Sequence, residues 1–188
     1  GSGLWRAEGT EFTQFTRKEG FAGTSAYAFA SDPSGALWIG CSDGVSRFEG
    51  GRFTTLTPAN GLAAESVRTI HCDADGTLWF GYGSDGNAAL TRFDGKSFVH
   101  FTVADGLPNN RITHLHRDRA GALWVATAGR GLGRFDDRTF TRYGAAEGVG
   151  SDYLTELLIE SSGTMWIGTG GAGVVRFDGT HFVPFTTR

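Results

Sequence analysis

Two groups of polar side chains near the middle of the chain have the residue types that bind small polar ligands. The first group comprises Asn109, Asn110, Arg111 and Arg130, and the second comprises Tyr82, Ser84, Asp85 and Asn87. Amide and guanidinium groups form bidentate hydrogen bonds, and a tyrosine adds a planar ring, so this mixture suits polyols or carboxylates. The alternative is that the asparagines only fill left-handed turn positions and that the arginine is solvated.

Three histidines are the candidates for binding a metal or an anion. His71 and His116 occupy equivalent positions in two similar segments, and His114 lies two residues before His116. In a strand this spacing places His114 and His116 on one face, and we expect the group to face a central channel. No carboxylate partner is evident in the sequence, and histidines bonded to backbone are commoner than metal ligands. We therefore predict no metal and no cofactor.

No arrangement in the sequence is typical of catalysis, since neither a nucleophile with its base nor a carboxylate pair is evident. The glycine-rich segments Gly129-Arg130-Gly131 and Gly168–Gly173 link predicted strands and do not open a helix, so they are not phosphate-binding loops. The turn Asp73-Ala74-Asp75-Gly76 lacks the further ligands that a calcium site needs. The sequence therefore predicts a protein that binds and not an enzyme.

The elements that carry these residues are repeats. Four tryptophans, Trp38, Trp79, Trp124 and Trp166, are separated by 41, 45 and 42 residues, and each follows a glycine-bearing turn. A period near forty residues is typical of the four-stranded blades of a propeller. A single antiparallel sheet cannot bury both of its faces, but copies stacked around an axis can. We therefore predict an all-β fold, a β-propeller of four-stranded antiparallel blades.

Within each repeat, four short apolar or alternating runs predict strands A to D joined by tight turns. In the second repeat the expected strands are Ser66–Cys72, Thr77–Tyr82, Ala89–Phe93 and Ser97–Thr102. Cys41 then ends a B strand and Cys72 ends an A strand, which finish at opposite rims. Because a disulfide requires Cα atoms within about 7 Å, we expect two free thiols.

Aromatic residues recur once per repeat and predict the core between blades. The members are the four tryptophans, the strand C set Phe48, Phe93, Phe135 and Phe177, and the strand D set Phe53, Phe98, Phe140 and Phe182. An arginine precedes each strand C phenylalanine and lies on the opposite face. We expect its guanidinium to stack on an aromatic ring or to pair with a carboxylate.

The first sixteen residues match strands C and D of the later repeats, so the chain has one strand pair more than four blades require. The predicted boundaries are 1–16 for this leading pair, then 17–57, 58–102, 103–143 and 144–188 for the four blades, all in one domain. This surplus pair indicates either a segment of a longer propeller or the association of two chains. Because exposed blade faces are apolar, we expect a homodimer that completes a ring of about eight blades.

The net charge of −3 gives no basic field, which argues against nucleic acid as a partner and against direct membrane contact. No apolar run approaches the roughly 18 residues of a membrane span. The opening Gly1-Ser2-Gly3 is typical of a cloning remnant, so we expect any signal peptide to have been removed upstream of it.

The segment from Gly106 to Asp136, GLPNNRITHLHRDRAGALWVATAGRGLGRFD, closely resembles the two-component regulator propeller repeat. The second and fourth repeats depart from it at Gly61-Leu62-Ala63-Ala64-Glu65 and Gly148-Val149-Gly150. The resemblance implies an extracytoplasmic sensor domain of bacterial hybrid two-component systems, periplasmic or extracellular, that receives a ligand such as a glycan fragment. The ligand would bind at the rim of D-to-A and B-to-C loops. The alternative is a self-assembling or protein-interaction propeller module without a small-molecule ligand.

Overall fold

The computed structural model describes residues 3–83 and 90–185. They form one two-stranded sheet and four four-stranded sheets whose strands follow one another in chain order. The helical segments of the described part are four three-residue 3-10 turns, each before a blade: Arg17–Glu19, Pro58–Asn60, Val103–Asp105 and Ala145–Glu147. The prediction of an all-β fold is therefore confirmed.

The chain forms two compact units, and the first covers residues 3–82 and 91–100. The leading pair consists of β1 (Leu4–Glu8) and β2 (Glu11–Phe15). The first blade consists of β3 (Ala26–Ser31), β4 (Leu37–Cys41), β5 (Gly44–Glu49) and β6 (Arg52–Leu56). The second blade consists of β7 (Val67–Cys72), β8 (Leu78–Tyr82), β9 (Leu90–Phe93) and β10 (Phe98–Phe101). The strand prediction for the second repeat holds to within a residue at each end.

The second unit comprises the remaining described residues. The third blade is β11 (Ile112–Arg117), β12 (Leu123–Thr127), β13 (Leu132–Phe135) and β14 (Phe140–Tyr143); the fourth is β15 (Leu154–Ile159), β16 (Met165–Thr169), β17 (Val174–Phe177) and β18 (Phe182–Phe185). Inside each unit the inner strands of its two blades lie side by side, β3 against β7 and β11 against β15.

Strand register gives every blade two different faces. Trp124 pairs across the sheet with Arg134, whereas Leu123 pairs with Phe135, and directly opposed residues share a face. The same pairing recurs in the first and fourth blades. We call these the tryptophan face and the phenylalanine face. The prediction that the strand C arginine lies opposite the phenylalanine is confirmed.

Blades pack by placing the tryptophan face of one on the phenylalanine face of the next. In the first unit the ring of Trp38 lies 6.4 Å from that of Phe80 and 6.3 Å from that of Phe93. In the second unit Trp124 lies 5.5 Å from Phe177 and is 3% exposed. The predicted role of the repeated aromatics as core between blades is thereby confirmed within each unit.

A carboxylate in each A-to-B turn fixes its tryptophan. The indole Nε1 donates to a carboxylate six residues earlier, at 2.9 Å for Asp32 and 2.8 Å for Asp73, Asp118 and Glu160. In the first three blades an arginine also lies over the ring, with its guanidinium carbon 5.6 to 6.0 Å from the centroid. Arg47 in addition donates to Glu49 at 2.7 Å. The A-to-B turns therefore hold the tryptophan side chains in position in addition to reversing the chain.

This arrangement predicts a pH-dependent contribution to stability. Burial raises the pKa of Asp32, but hydrogen bonds from Ser34, Trp38 and the Ala36 N–H outweigh it and lower the pKa from 3.8 to about 2. A lowered folded-state pKa stabilises the fold above the unfolded-state pKa, and the contribution is lost as pH falls through the folded-state value. We expect Asp32→Asn to cost about 2 kcal/mol near neutrality, with the difference from wild type shrinking between about pH 4 and pH 2. Urea unfolding at a series of pH values measures it, and a difference that stays constant down to pH 2 contradicts the assignment.

Candidate functional site

The loop that leads into the third blade is fixed by local hydrogen bonds. Thr102 and Asp105 cap the 3-10 turn reciprocally, because the Asp105 carboxylate accepts from the Thr102 N–H at 2.8 Å and Thr102 Oγ1 accepts from the Ala104 N–H at 3.1 Å. Gly106 then takes a positive φ of 94°. The next residue, Leu107, is 1% exposed and anchors the loop in the core.

The two residues after Leu107 are held by close contacts to the blade. Pro108 lies so near Gly133 that a Cβ there would meet Pro108 Cδ at 2.9 Å. The Asn109 Oδ1 accepts from the Arg111 N–H at 2.8 Å, which closes an Asx turn. The loop is therefore shaped before any ligand arrives.

The facing B-to-C loop presents Arg130 from a strained backbone. Its φ is 70°, in the left-handed region. The Arg130 carbonyl accepts from Arg142 Nε at 2.6 Å, and the N–H of Gly131 donates to the Asp152 carbonyl at 2.8 Å. Strain at a fixed surface loop is a feature of binding sites. Among the described residues no carboxylate lies within salt-bridge distance of the exposed Arg130 guanidinium.

These two loops border an open pocket of about 260 Å³ that we call the rim pocket. Its lining residues are Val103, Pro108, Asn109, Asn110 and Arg130. Two apolar side chains, two amides and a cation can hold a small polyol or carboxylate, with the cation fixing a negative group. The structure thus brings together three of the four residues in the first predicted group.

Arg111, the fourth residue of that group, is exposed and does not line the rim pocket. It contributes through its backbone, since its carbonyl accepts from the Ala128 N–H at 2.9 Å. Asn109 and Asn110 do not occupy left-handed turn positions, because Arg130 and Asp137 are the non-glycine residues with positive φ in the described part of the chain. Arg130 itself is exposed, as the alternative expects.

Of the second predicted group, Tyr82 alone lies within the described residues. Tyr82 is fully buried, and its hydroxyl accepts from the Ala63 N–H at 3.1 Å and lies 2.9 Å from Thr91 Oγ1. Its ring therefore belongs to the core of the first unit and not to an exposed surface. Ser84, Asp85 and Asn87 lie outside the described residues.

His71 and His114 each lie beside a carboxylate that the sequence analysis did not identify as a partner. His71 Nε2 lies 3.3 Å from Asp73 Oδ1, and His114 Nδ1 lies 2.5 Å from Glu156 Oε1 on the adjacent inner strand. His116 pairs across the sheet with Trp124. Among the described residues no three histidine, cysteine or acidic side chains form a group able to hold a metal ion. A common channel for the three imidazoles stays a prediction.

Sequence reasoning missed one polar pair on the inner strands. Arg68 places its guanidinium carbon 4.0 Å from the centroid of the Tyr27 ring. Each residue sits at a register shift, between Ala26 and Ala28 in one strand and between Val67 and Thr69 in the other. A bulge turns the side chain at the extra residue away from the face that strict alternation predicts. The sequence pattern therefore does not reveal the contact between Arg68 and Tyr27.

The two cysteines are free, as predicted. Burial raises the pKa of the Cys41 thiol to about 11 and also raises the pKa of Cys72. A thiol with a raised pKa is a poor nucleophile, so neither cysteine is a candidate for catalysis.

Residues 61–84 and 106–129 match the family model described as "Two component regulator propeller", which confirms the resemblance read from Gly106 to Asp136. No curated protein sequence matches the chain. In the described residues no helix is long and apolar enough to cross a membrane.

Several solved structures are similar. The extracellular domain of a B. thetaiotaomicron protein described as a hybrid two-component system is 19% identical, with a TM-score of 0.78 over 93% of this chain and 26% of its own length. A second extracellular domain from the same bacterium, described as a one-component system, is 18% identical, with a TM-score of 0.70 over 85% of this chain and 25% of its own. Virginiamycin B lyase from Staphylococcus aureus is 18% identical, with a TM-score of 0.70 over 87% of this chain and 56% of its own.

These likenesses show the β-propeller fold. The chain spans about a quarter of the length of the two extracellular domains. One of the three similar structures is an enzyme, and the fold alone does not decide between binding and catalysis.

Proposed function

We propose that this chain, which carries two-component regulator propeller repeats, is a sensor domain that binds a small polyol or carboxylate, such as a glycan fragment, in the rim pocket. The observation that carries the proposal is that Arg130, whose backbone is held by Arg142, lines one pocket with Asn109 and Asn110. A pre-shaped loop pair binds without the entropic cost of ordering. The extracellular setting of the two B. thetaiotaomicron domains supports a periplasmic or extracellular location.

The pocket composition favours binding over catalysis. The five lining residues include no carboxylate, imidazole, hydroxyl or thiol, and general acid–base or nucleophilic chemistry needs one of these groups. The likeness to a lyase therefore concerns the scaffold. We infer that the domain recognises its ligand without converting it.

The test is calorimetric titration with a panel of mono- and oligosaccharides and small carboxylates, followed by Arg130→Ala. Loss of a charge-assisted hydrogen bond costs about 1.5–3 kcal/mol, so we expect the affinity for the best carboxylate to fall about 10- to 100-fold. The Arg130 backbone contacts do not depend on its side chain, and the fold is expected to persist.

Arg138→Ala is the matched control, because Arg138 is an exposed arginine in the C-to-D turn of the same blade. We expect it to leave the affinity unchanged. Equal losses in the two variants would indicate nonspecific electrostatic attraction and reject the rim pocket. The absence of detectable binding of the wild type to any ligand in the panel would also reject the rim pocket as a binding site.

A further inference from the structure

A second pocket lies between the third and fourth blades, at the end of the sheets that carries the A-to-B and C-to-D turns. Its volume is about 380 Å³, within the range of about 300–1,000 Å³ that is typical of small-molecule sites. Its apolar lining includes Trp124, Met165 and Phe177, which are 3%, 2% and 9% exposed. The rim pocket lies at the opposite end of the third blade, so we call this second site the turn pocket.

Two charged side chains, Asp118 and Arg134, also line the turn pocket. The Asp118 carboxylate accepts from Trp124 Nε1 with one oxygen and from the Ala122 N–H with the other, each at 2.8 Å. A carboxylate oxygen can accept two hydrogen bonds, so there is room for a further donor. The guanidinium carbon of Arg134 lies 5.8 Å from the centroid of the Trp124 ring. In the described part of the chain no carboxylate lies within salt-bridge distance of this guanidinium.

The arginine at the equivalent position of the first blade is neutralised by carboxylates of its own blade. Arg47 donates to Glu49 at 2.7 Å and lies 3.7 Å from Asp32. In the third blade Asp136 takes the place of Glu49, but its carboxylate accepts from two backbone N–H groups of its own turn, at 3.0 and 2.8 Å. Asp136 is therefore held in the turn, and the charge of Arg134 can meet a negative group from a ligand.

The neighbouring A-to-B turns also differ between the two units. In the first unit a Cβ on Gly76 would lie 3.7 Å from Pro33 Cδ of the preceding blade. In the second unit Arg119 stands in the place of Pro33, and its side chain is exposed. A Cβ on Gly163, the glycine equivalent to Gly76, would have no other described atom within 4 Å. The replacement of proline at this turn therefore contributes to the space of the turn pocket.

We propose that the turn pocket binds a free α-amino acid with a large apolar side chain. Arg134 donates to the carboxylate of the ligand, for which the planar guanidinium is well suited, and Asp118 accepts from the ammonium group. The apolar lining receives the side chain. A zwitterion satisfies both charges of the pocket, whereas a simple carboxylate brings a second negative charge next to Asp118. The turn pocket shares no lining residue with the rim pocket.

The test is calorimetric titration of the whole chain with phenylalanine and with three probes that each lack one of its groups. 3-Phenylpropionate lacks the ammonium group, phenethylamine lacks the carboxylate and glycine lacks the side chain. We expect phenylalanine to bind and each probe to bind at least about tenfold more weakly, because each lost group removes a charge-assisted hydrogen bond or a buried ring. No detectable binding of either phenylalanine or leucine up to the millimolar range overturns the proposal. So does 3-phenylpropionate that binds as tightly as phenylalanine.

A pair of variants tests the position of the carboxylate. Arg134→Gln removes the charge, and we expect it to weaken phenylalanine binding about 10- to 100-fold. Arg92→Gln is the matched control, because the Arg92 guanidinium carbon lies 6.0 Å from the Trp79 ring centroid in the second blade and the residue does not line the turn pocket. It should leave the affinity unchanged, and equal losses in the two variants overturn the proposal. Circular dichroism establishes that both variants are folded.

Nuclear magnetic resonance of the indole N–H groups locates the bound ligand independently of any substitution in the pocket. The indole of Trp124 lies in the turn pocket and donates to Asp118, so phenylalanine should shift its signal. The signal of Trp38, which belongs to the first unit, should stay in place. A titration that shifts Trp38 and leaves Trp124 unchanged places the ligand elsewhere and overturns the proposal.

Discussion

Replacing Trp124 by alanine is expected to lower the free energy of unfolding by about 3–5 kcal/mol, the range for removing a large buried aromatic side chain. The ring is 3% exposed and lies 5.5 Å from Phe177 of the next blade. Its indole N–H also donates to Asp118 at 2.8 Å. Truncation therefore opens a cavity between two blades and leaves the half-buried Asp118 carboxylate with one donor fewer. Chemical denaturation of the folded domain measures the loss.

Trp166→Ala is the matched control for this effect. Trp166 has the same place in its blade and the same indole hydrogen bond, to Glu160 at 2.8 Å. Its ring packs on Phe185, a residue of its own blade that is half exposed. We expect a cost of about 1–2 kcal/mol, because less apolar area leaves water there. Equal costs would contradict the assignment of Trp124 to an interface between blades.

The fold could be predicted because each of its determinants is local and repeated. Period-two alternation and glycine turns define the strands, and the spacing of the tryptophans defines the blade. The arginine that stacks on each of the first three tryptophans followed from the same alternation, since it precedes a phenylalanine of known face. One repeated feature escaped notice: an acidic residue stands six positions before every tryptophan of the four blades, as with Asp118 and Trp124. That spacing was visible in the sequence.

The candidate site was harder to predict because it depends on contacts between loops. Asn109, Asn110 and Arg130 come from two connections some twenty residues apart, and only the folded blade brings them together. The sequence predicts Tyr82 at the rim, where its planar ring could contact a ligand. In the structure the ring is buried, and the Tyr82 hydroxyl hydrogen-bonds to Ala63 and Thr91 inside the first unit. A polar atom satisfied internally cannot be distinguished from a ligand-binding one by residue type.

The pairing of His114 with Glu156 could not be foreseen either. The two residues lie on inner strands of different blades, and their distance depends on how those blades pack. The register shift at the start of each inner strand has the same consequence for Tyr27 and Arg68. Contacts across blades follow from packing geometry, which the repeat period does not specify.

The second large effect is expected at Gly131, which joins the scaffold to the rim pocket. Gly131 has a φ of 83°, and a Cβ there would lie 2.3 Å from the Tyr143 carbonyl oxygen. Gly131→Ala combines left-handed strain of about 1–2 kcal/mol with a clash against backbone that cannot rotate away, for a total of about 3–5 kcal/mol. Gly121→Ala is the control, because Gly121 has a φ of 89° with no atom within 4 Å of the added Cβ, and it should cost the strain alone. Thermal and urea unfolding measure the loss of stability in both variants. Similar losses would show that glycine is needed beside Arg130 because of backbone strain and not because the two strands approach closely.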